Sequence, residues 1–564
     1  MRTFKYSSAP LNSPRAYVIL AVILTLAIVA LDLIFYPHTL EDAFITFRYS
    51  KHLAEGYGFG AWNVGGQRVE GYTNFLWMLL LAAGASLGIP APTLSKVLGL
   101  VSHIGLSLAL LFFPLFRKPE LTRPDTLGSG DADAFTVSAI ISAFYLPMTW
   151  YATSGMETLT FALLVCLCLL GPFVFRGSPV AMVVSVLLIL MRPEGLFVAL
   201  ACIGYHLWHR RRINQSARPM AVVLVACLIT QMLLTLFRMG VFGDILPNTY
   251  YAKVAGAGRL HIFFGKAYVQ DWLRTHMVWV PAFLAALVFL LWSFWKQGLR
   301  TTGLLAFLFV FTTGYLGYII KVGGDNPAAL PFWRHFVHLI PFVAILLATG
   351  LNVLTPRKRV IRYMLLAGIL AIVNVNVLYA ENRRMLKDAQ EGLAKYPNLS
   401  HSAPNQYIQW IKRIVGPDTT IATASAGELP YTVDVIFIDM LGLNDRDIAH
   451  SGRFDPYGPI DSKTNMDSVL RRRPDIIEGY YSGLAIKQGL PKEKVVTYRP
   501  QMAYQMFEHP IFQSEYLFLM NGPYEHMDRA LFFHVSYWSQ HPAREQLECV
   551  PVTKTSLCNR PANR

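Results

Sequence analysis

At 564 residues the chain is 54% hydrophobic and only 15% charged, against about 25% charged in soluble domains, which excludes an ordinary soluble enzyme. The formal net charge of +15 fits a membrane protein anchored by cytoplasmic arginines. No soluble segment carries a basic stripe interleaved with aromatics, so nucleic acid is excluded as a partner.

The first apolar run, Tyr17 to Tyr36, is interrupted only by Thr25 and Asp32. At about 1.5 Å per residue it crosses a hydrocarbon core of about 30 Å, and it is too long for a cleaved signal peptide. Arg2, Lys5 and Arg15 precede it, which places the N-terminus in the cytoplasm and the next loop outside. Further apolar segments run over 73–89, 94–116, 135–151, 159–175, 180–191, 196–208, 221–237, 277–295, 304–320, 336–351 and 364–379. Arg210, Arg211, Arg212 and Arg218, then Lys296 and Arg300, then Arg357, Lys358, Arg359 and Arg362 mark cytoplasmic loops. Residues 192–195, 238–259 and 321–334, and everything after Glu381, then lie outside. An outward C-terminus requires an odd number of crossings, about eleven, with 73–116 re-entrant around Gly88-Ile89-Pro90-Ala91-Pro92.

After Glu381 the apolar runs shorten to strand length, at 419–423, 435–439 and 475–477, and polar helical stretches such as 407–414 separate them. The expected fold is therefore a polytopic α-helical membrane domain, 1–380, followed by an extracytoplasmic α/β domain, 381–564. Cys166, Cys168, Cys202 and Cys227 fall in apolar helices as packing residues, whereas Cys549 and Cys558 are placed where a disulfide is able to form.

The outward loops hold most of the chemically interesting side chains. The first opens with Glu41 and Asp42, leading into 43–49, which reads as an amphipathic helix at the interface. The alternative is that the two acids merely suit a helix N-terminus. Arg48, Asn63, Arg68, Glu70 and Asn74 follow, among glycines better read as turns than as a phosphate cradle, because no strand and helix flank them. With no nucleotide-binding fold elsewhere, any sugar donor must be membrane-borne. Ser154 and Glu157 match a capping box. Arg192 and Glu194 stand between two short apolar helices, where charges persist only if paired or facing a polar cavity. Asp244 to Lys253 brings Pro247, Asn248, Tyr250, Tyr251 and a cation into one loop, and Gly323-Gly324-Asp325 is followed by Arg334 and His335. Either cation is placed to bind phosphate or to snorkel.

The run Glu-Asp-Ala-Phe-Ile-Thr-Phe-Arg-Tyr at 41–49, Gly-Tyr-Gly at 56–58 and Arg-Val-Glu-Gly-Tyr-Thr-Asn at 68–74 resemble the membrane glycosyltransferases of GT-C fold. The similarity is to the terminal β-(1→2) arabinofuranosyltransferases of mycobacterial cell-wall assembly, and it extends to the patches at 154–158, 192–195, 247–253, 323–325 and 439–445. Glu41 departs from that family's aspartate. The resemblance implies a GT-C-like bundle in the bacterial inner membrane and a decaprenyl- or undecaprenyl-phosphoryl arabinofuranose donor.

The expected activity is inverting transfer of that sugar to a glycan or glycoprotein acceptor outside the membrane. Asp42 is the candidate general base, with Glu41 assisting it or orienting the acceptor. Lys253 and Arg334, backed by His335, would stabilise the departing lipid phosphate. Glu157, Arg192 and Glu194 would form the polar surround, and Asn248, Tyr251 and Arg48 would contact substrate. These residues should line a single cavity open to lipid, with Asp42 roughly 6–12 Å from a phosphate-binding cation. No cofactor is evident, and a divalent-metal requirement is left open. Trp538, Tyr537, Tyr480 and Tyr481 suit stacking on sugars or packing in a core. A transporter or flippase of lipid-linked saccharides is the competing reading; it predicts repeat symmetry between halves, which the sequence does not display. A ligase of whole oligosaccharides is a third.

Overall fold

In the computed structural model, residues 14–118, 130–175, 178–297, 303–325, 332–355, 358–390, 399–401, 406–454, 463–479, 500–520 and 530–552 are described. Helix α1 (Pro14–Phe35) leads into a short strand β1 (His38–Leu40) and α2 (Ala43–Ala54). Then come α3 (Phe75–Ser86), α4 (Ala91–Phe116), α5 (Gly130–Phe144), α6 (Leu146–Thr153), α7 (Thr158–Val174), α8 (Ser178–Met191), α9 (Gly195–Arg212) and α10 (Arg218–Phe242). The short α11 (Asn248–Lys253) and α12 (Arg259–Thr275) precede α13 (Val280–Gln297), α14 (Gly303–Val322), α15 (Arg334–Val337), α16 (Ile340–Leu354) and α17 (Arg359–Gln390).

Six of these helices (α1, α4, α10, α13 with the turn before it, α14 and α17) are long and apolar enough to cross a membrane. Their outward rows, such as Leu26 on α1, Leu233 on α10 and Val360 on α17, are exposed leucine and valine, as a lipid-facing surface requires. By contrast α16 is buried on every side from Ile340 to Leu351. It is apolar all round, so it fills the centre of the bundle, against α5 and α13.

Two expectations are corrected here. The segment 135–151 is not one helix: α5 and α6 meet at a 57° bend, with Pro147 in the first turn of α6, where its missing N–H costs nothing. Nor does α2 lie at an interface. Every residue from Ala43 to Ser50 is buried, because α3 covers one side and the C-terminal domain the other; Tyr431 packs on Phe44 and Phe47 at 5.4 and 6.1 Å between ring centres. The break at 88–90 is present, with Gly88 at φ 80° between α3 and α4.

Past α17 the chain is mixed. Strand β2 (Leu399–His401) pairs antiparallel with β1, so the C-terminal part is stitched directly to the first loop. Helix α18 (Gln406–Ile414), β3 (Thr420–Thr423), α19 (Glu428–Thr432), β4 (Ile436–Asp439), α20 (Arg446–Ser451), the small pair β5 (Arg453–Phe454) and β6 (Lys463–Thr464), α21 (Met466–Arg471) and β7 (Ile476–Gly479) follow. Strands β8 (Tyr516–Leu519), β9 (Ala530–His534) and β10 (Cys549–Pro551) complete a six-stranded sheet of order β10-β8-β9-β7-β3-β4. Its β4-β3-β7 half is parallel and the remainder antiparallel. The strand runs 419–423, 435–439 and 475–477 read from sequence are those three parallel strands, buried except at Thr420 and Ile436, which open β3 and the edge strand β4.

Candidate functional site

The first loop folds back on itself before it meets anything else. Gly56, Gly58, Gly60 and Gly65 all have positive φ, so they are turns; at Gly60 a Cβ would stand 2.5 Å from the Phe242 ring. Arg68 closes this turn by donating to the carbonyls of Tyr57 and Phe59 (2.5 and 2.8 Å). Glu70 accepts both arms of a buried Arg238 at the end of α10 (2.7 and 3.0 Å).

The turn 154–157 sits against the start of α2. Leu40 N donates to Ser154 O (2.9 Å), Trp77 Nε1 donates to Gly155 O (3.2 Å), and a Cβ at Gly155 would meet Ala43 and Phe47 within 3.0 Å. The capping box does not form. Glu157 occupies the N-cap of α7, but its carboxylate makes no cap bond; it accepts from Asn74 Nδ2 (2.7 Å) and pairs with Arg192. Arg192 Nε also donates to Glu194 (2.6 Å), whose second oxygen accepts from Tyr318 OH (3.4 Å). Thr46 on α2 bonds Asn74 (3.1 Å), so this chain of polar contacts begins one turn from Asp42.

A second, partly buried ion pair follows. Arg334 donates to both oxygens of Asp325 (3.2 and 2.9 Å), and His335 Nε2 lies 3.3 Å from the same carboxylate. Burial alone would raise the Asp325 carboxyl, but Arg334, His335 and the more distant Lys253 hold it well below the ordinary range. Burial likewise opposes charge on Glu194, and Arg192 and His335 overcome it. Arg334 is presented by an unusual turn: Phe332 and Trp333 are both left-handed, at φ 60° and 49°. Glu381 accepts from Phe332 N (2.9 Å), Asp271 accepts from Trp333 Nε1 (3.0 Å), and Trp150 packs on Phe332, which together hold the turn.

The two clusters adjoin: Arg192 lies over the Phe161 ring at 5.7 Å, and His338, at the end of α15, packs on the same ring at 4.7 Å. The Arg334 guanidinium feels Asp325, Arg192 and Glu157, and the buried Tyr151 hydroxyl feels Arg334, Asp325, Glu381 and Asp42. Asp42 is the N-cap of α2, yet its side chain makes no cap bond to the helix, so capping does not account for it. Among the described residues no group of three or more His, Cys, Asp or Glu is arranged to hold a metal ion.

Other candidates are placed elsewhere. Arg48, expected at substrate, is buried with its guanidinium on the carbonyls of Trp62, Val433 and Val435 (2.7, 3.3 and 3.3 Å) and over the Trp62 and Phe437 rings. Asn248 donates to Gly442 O and Leu443 O (both 2.8 Å), and Tyr251 stacks on His450 at 4.2 Å. All three join the helical part to the C-terminal domain. Glu41 does too: one carboxylate oxygen accepts from Gly427 N (2.7 Å) and Ser425 Oγ (3.0 Å). The motif at 439–445 belongs to the same seam, since Asp439 binds Leu441 N and Asn444 while Asn444 accepts from Tyr49 OH (3.0 Å). Tyr537 and Trp538 are half-buried against Phe533 and His541. Tyr480, Tyr481 and Cys558 lie outside the described residues; Cys549 is a free thiol.

The fold of the chain aligns with crystal structures of ArnT from Cupriavidus metallidurans, one bound to undecaprenyl phosphate and one in the apo state. Each alignment covers 92% of this chain and 98% of the other, with TM-scores of 0.52 and 0.50 and identities of 11% and 12%. The fold is GT-C-like. In sequence, the terminal β-(1→2)-arabinofuranosyltransferase of Mycobacterium tuberculosis is 27% identical over 263 residues, 43% of this chain and 39% of that protein. The protein of the same name from Corynebacterium glutamicum is 32% identical over 136 residues, 22% of this chain and 19% of its own. The aligned stretches therefore span well under half the length of either relative. Residues 394–525 match a family model described as a domain of unknown function, DUF8728.

Within the GT-C-like bundle, sequence reasoning missed Asn74 as the bridge to Glu157, Tyr318, Glu381 and the Arg238 partner of Glu70. Tyr318 and Arg238 carry a signal in retrospect: each is a polar group within or at the end of an apolar helix, where isolation is costly.

Proposed function

We propose that this protein is an inverting glycosyltransferase. It moves a sugar from a polyprenyl-phosphate carrier to a glycan or glycoprotein of the cell envelope, on the outer face of the bacterial inner membrane. The sugar is arabinofuranose. The observation that carries this reading is that a half-buried Asp42 and the Asp325–Arg334 pair act on the same buried Tyr151 hydroxyl, while Arg334 is also within the influence of Arg192 and Glu157. A base on one side and cations on the other is what displacement at an anomeric carbon needs. The undecaprenyl phosphate of the ArnT structure supports a lipid carrier, and the names of the sequence relatives support the pentose.

Asp42 takes the proton of the acceptor hydroxyl as its oxygen attacks the anomeric carbon, and the carbon–oxygen bond to phosphate breaks with its electrons going to the phosphate. Arg334, fixed by Asp325 and flanked by His335, and Lys253 meet that growing charge. The Glu157–Arg192–Glu194 chain forms the polar floor. The region 1–380 is the catalytic membrane domain, and 381–564 faces outward and contributes to acceptor binding. Purified protein incubated with a radiolabelled polyprenyl-phosphoryl pentose and cell-envelope glycan should transfer single labelled sugars to the glycan. Label remaining on intact lipid that has changed leaflet would overturn the reading in favour of a flippase.

A further inference from the structure

Glu41 and Asp42 are adjacent in sequence, but their carboxylates are held by different parts of the molecule. We propose that Glu41 is a positioning residue for Asp42, and that the C-terminal domain does the positioning through the turn Ser425-Ala426-Gly427. The inference rests on the glycosyltransferase reading for its kinetic arm alone.

The turn follows the carboxyl end of the parallel strand β3. It is braced from within, since Ser425 N donates to Thr423 Oγ1 (2.9 Å) and that hydroxyl is bonded to Glu478. From this base, Gly427 N and Ser425 Oγ both donate to one oxygen of Glu41. The fit leaves no slack: a Cβ on Gly427 would lie 2.0 Å from the Glu41 carbonyl oxygen and 2.6 Å from its carboxyl carbon. That same carbonyl accepts from Phe44 N (3.1 Å), and Asp42 O accepts from Ile45 N (3.3 Å). Glu41 therefore sets how the chain enters α2, and Asp42 is the residue at which it enters. Farther along α2, Arg48 on the carbonyls of Val433 and Val435 and Lys51 on Asp434 (2.9 Å) hold the helix to the segment just after α19.

What Glu41 offers the turn is an oxygen that accepts from one N–H and one O–H. A neutral amide oxygen does the same, whereas a proton acceptor or a cation ligand needs the negative charge. The conservative variant therefore separates the two roles. Glu41→Ala should lower kcat about 10- to 100-fold, the range expected when a reacting group is misplaced by about 1 Å, with little change in KM for the lipid donor. Glu41→Gln should restore most of that turnover. Gly427→Ala, which keeps the acid but evicts it from its seat, should reproduce the loss. Glu41→Gln as inactive as Asp42→Asn, or fully active Gly427→Ala, would overturn the assignment. A structural arm needs no turnover: hydrogen exchange at the 425–427 amides and in the first turn of α2 should quicken in Glu41→Ala and Gly427→Ala but not in Glu41→Gln. Unchanged exchange in both damaged variants would equally defeat it. Absent sugar transfer by the wild-type protein, with the exchange pattern as stated, would instead count against the glycosyltransferase reading.

Discussion

Two regions of this molecule are dense in buried charge, and they use it differently. Along the seam between the first loop and the C-terminal domain, Arg48 faces backbone carbonyls and Glu41, half-buried, a backbone amide and a hydroxyl. In the bundle, Glu157, Arg192, Glu194, Asp325, Arg334 and His335 face one another. Backbone partners cannot move or titrate, so they convert a charged side chain into a fastener. Charges that pair with one another stay ionised away from water, which a site for a charged group requires.

The sharpest way to break this comparison is Asp42→Asn. A positioned base is worth about 10²–10⁴ in rate, so we expect at least a hundredfold loss of transfer in the pentose assay, with an unchanged melting temperature. Half-maximal activity would remove Asp42 from the mechanism. Next, Arg192→Met strands two buried carboxylates; breaking such a pair costs about 3–5 kcal/mol, and the thermal midpoint in detergent should fall accordingly. Unaltered melting would mean that Glu157 and Glu194 are already reached by solvent or ions. Arg48→Met leaves carbonyls of the seam unpaired at about 1–3 kcal/mol each. It should increase proteolysis between the helical and C-terminal parts while a folded remainder keeps donor binding. A loss confined to donor binding would return Arg48 to the substrate site.

The smallest effect expected is a pH dependence. His52, on α2, bonds the Ala61 carbonyl (2.7 Å), and burial, helped by Arg48, lowers its imidazole to about 4. The unfolded chain, with an ordinary value of about 6.5, then takes up a proton first as pH falls. Stability contributed by neutral His52 is complete above about 6.5 and declines towards about 4. Asp439 acts in the opposite sense: burial raises its carboxyl to about 6, so its contribution is greatest at low pH and lost as pH rises towards that value. His52→Asn, which still has a donor for Ala61, should flatten the acid limb of the melting profile. An identical profile would mean that His52 is not shielded as described.

The bundle was largely readable from sequence because lipid leaves a strong mark: long apolar runs, and rare charges within or beside them. Arg192 and Glu194 stand out for that reason and are paired in the structure, whereas Arg334 is legible only as a cation in an outer loop and its partner Asp325 only as part of a Gly-Gly-Asp patch. The seam was not readable. Arg48 bonds carbonyls nearly four hundred positions away, and a backbone acceptor carries no residue identity to pattern-match. Glu157 fitted a common capping pattern, and only the arrival of Arg192 and Asn74 shows that its carboxylate is used otherwise. The division of 135–151 into α5 and α6 was signalled by Pro147 and overridden by the continuous apolar pattern around it.

The left-handed turn at Phe332 and Trp333 has a consequence for how the enzyme would meet its donor. Such conformations cost about 1–3 kcal/mol each and survive only where neighbours over-determine them. Here Glu381, Asp271 and Trp150 do so, and the outcome is an arginine whose backbone has no freedom to follow a ligand. On the proposed reading, reorganisation during transfer would fall on the mobile partner: a lipid diffusing in the plane of the bilayer would raise its phosphate to this arginine, and the spent carrier would retreat from it.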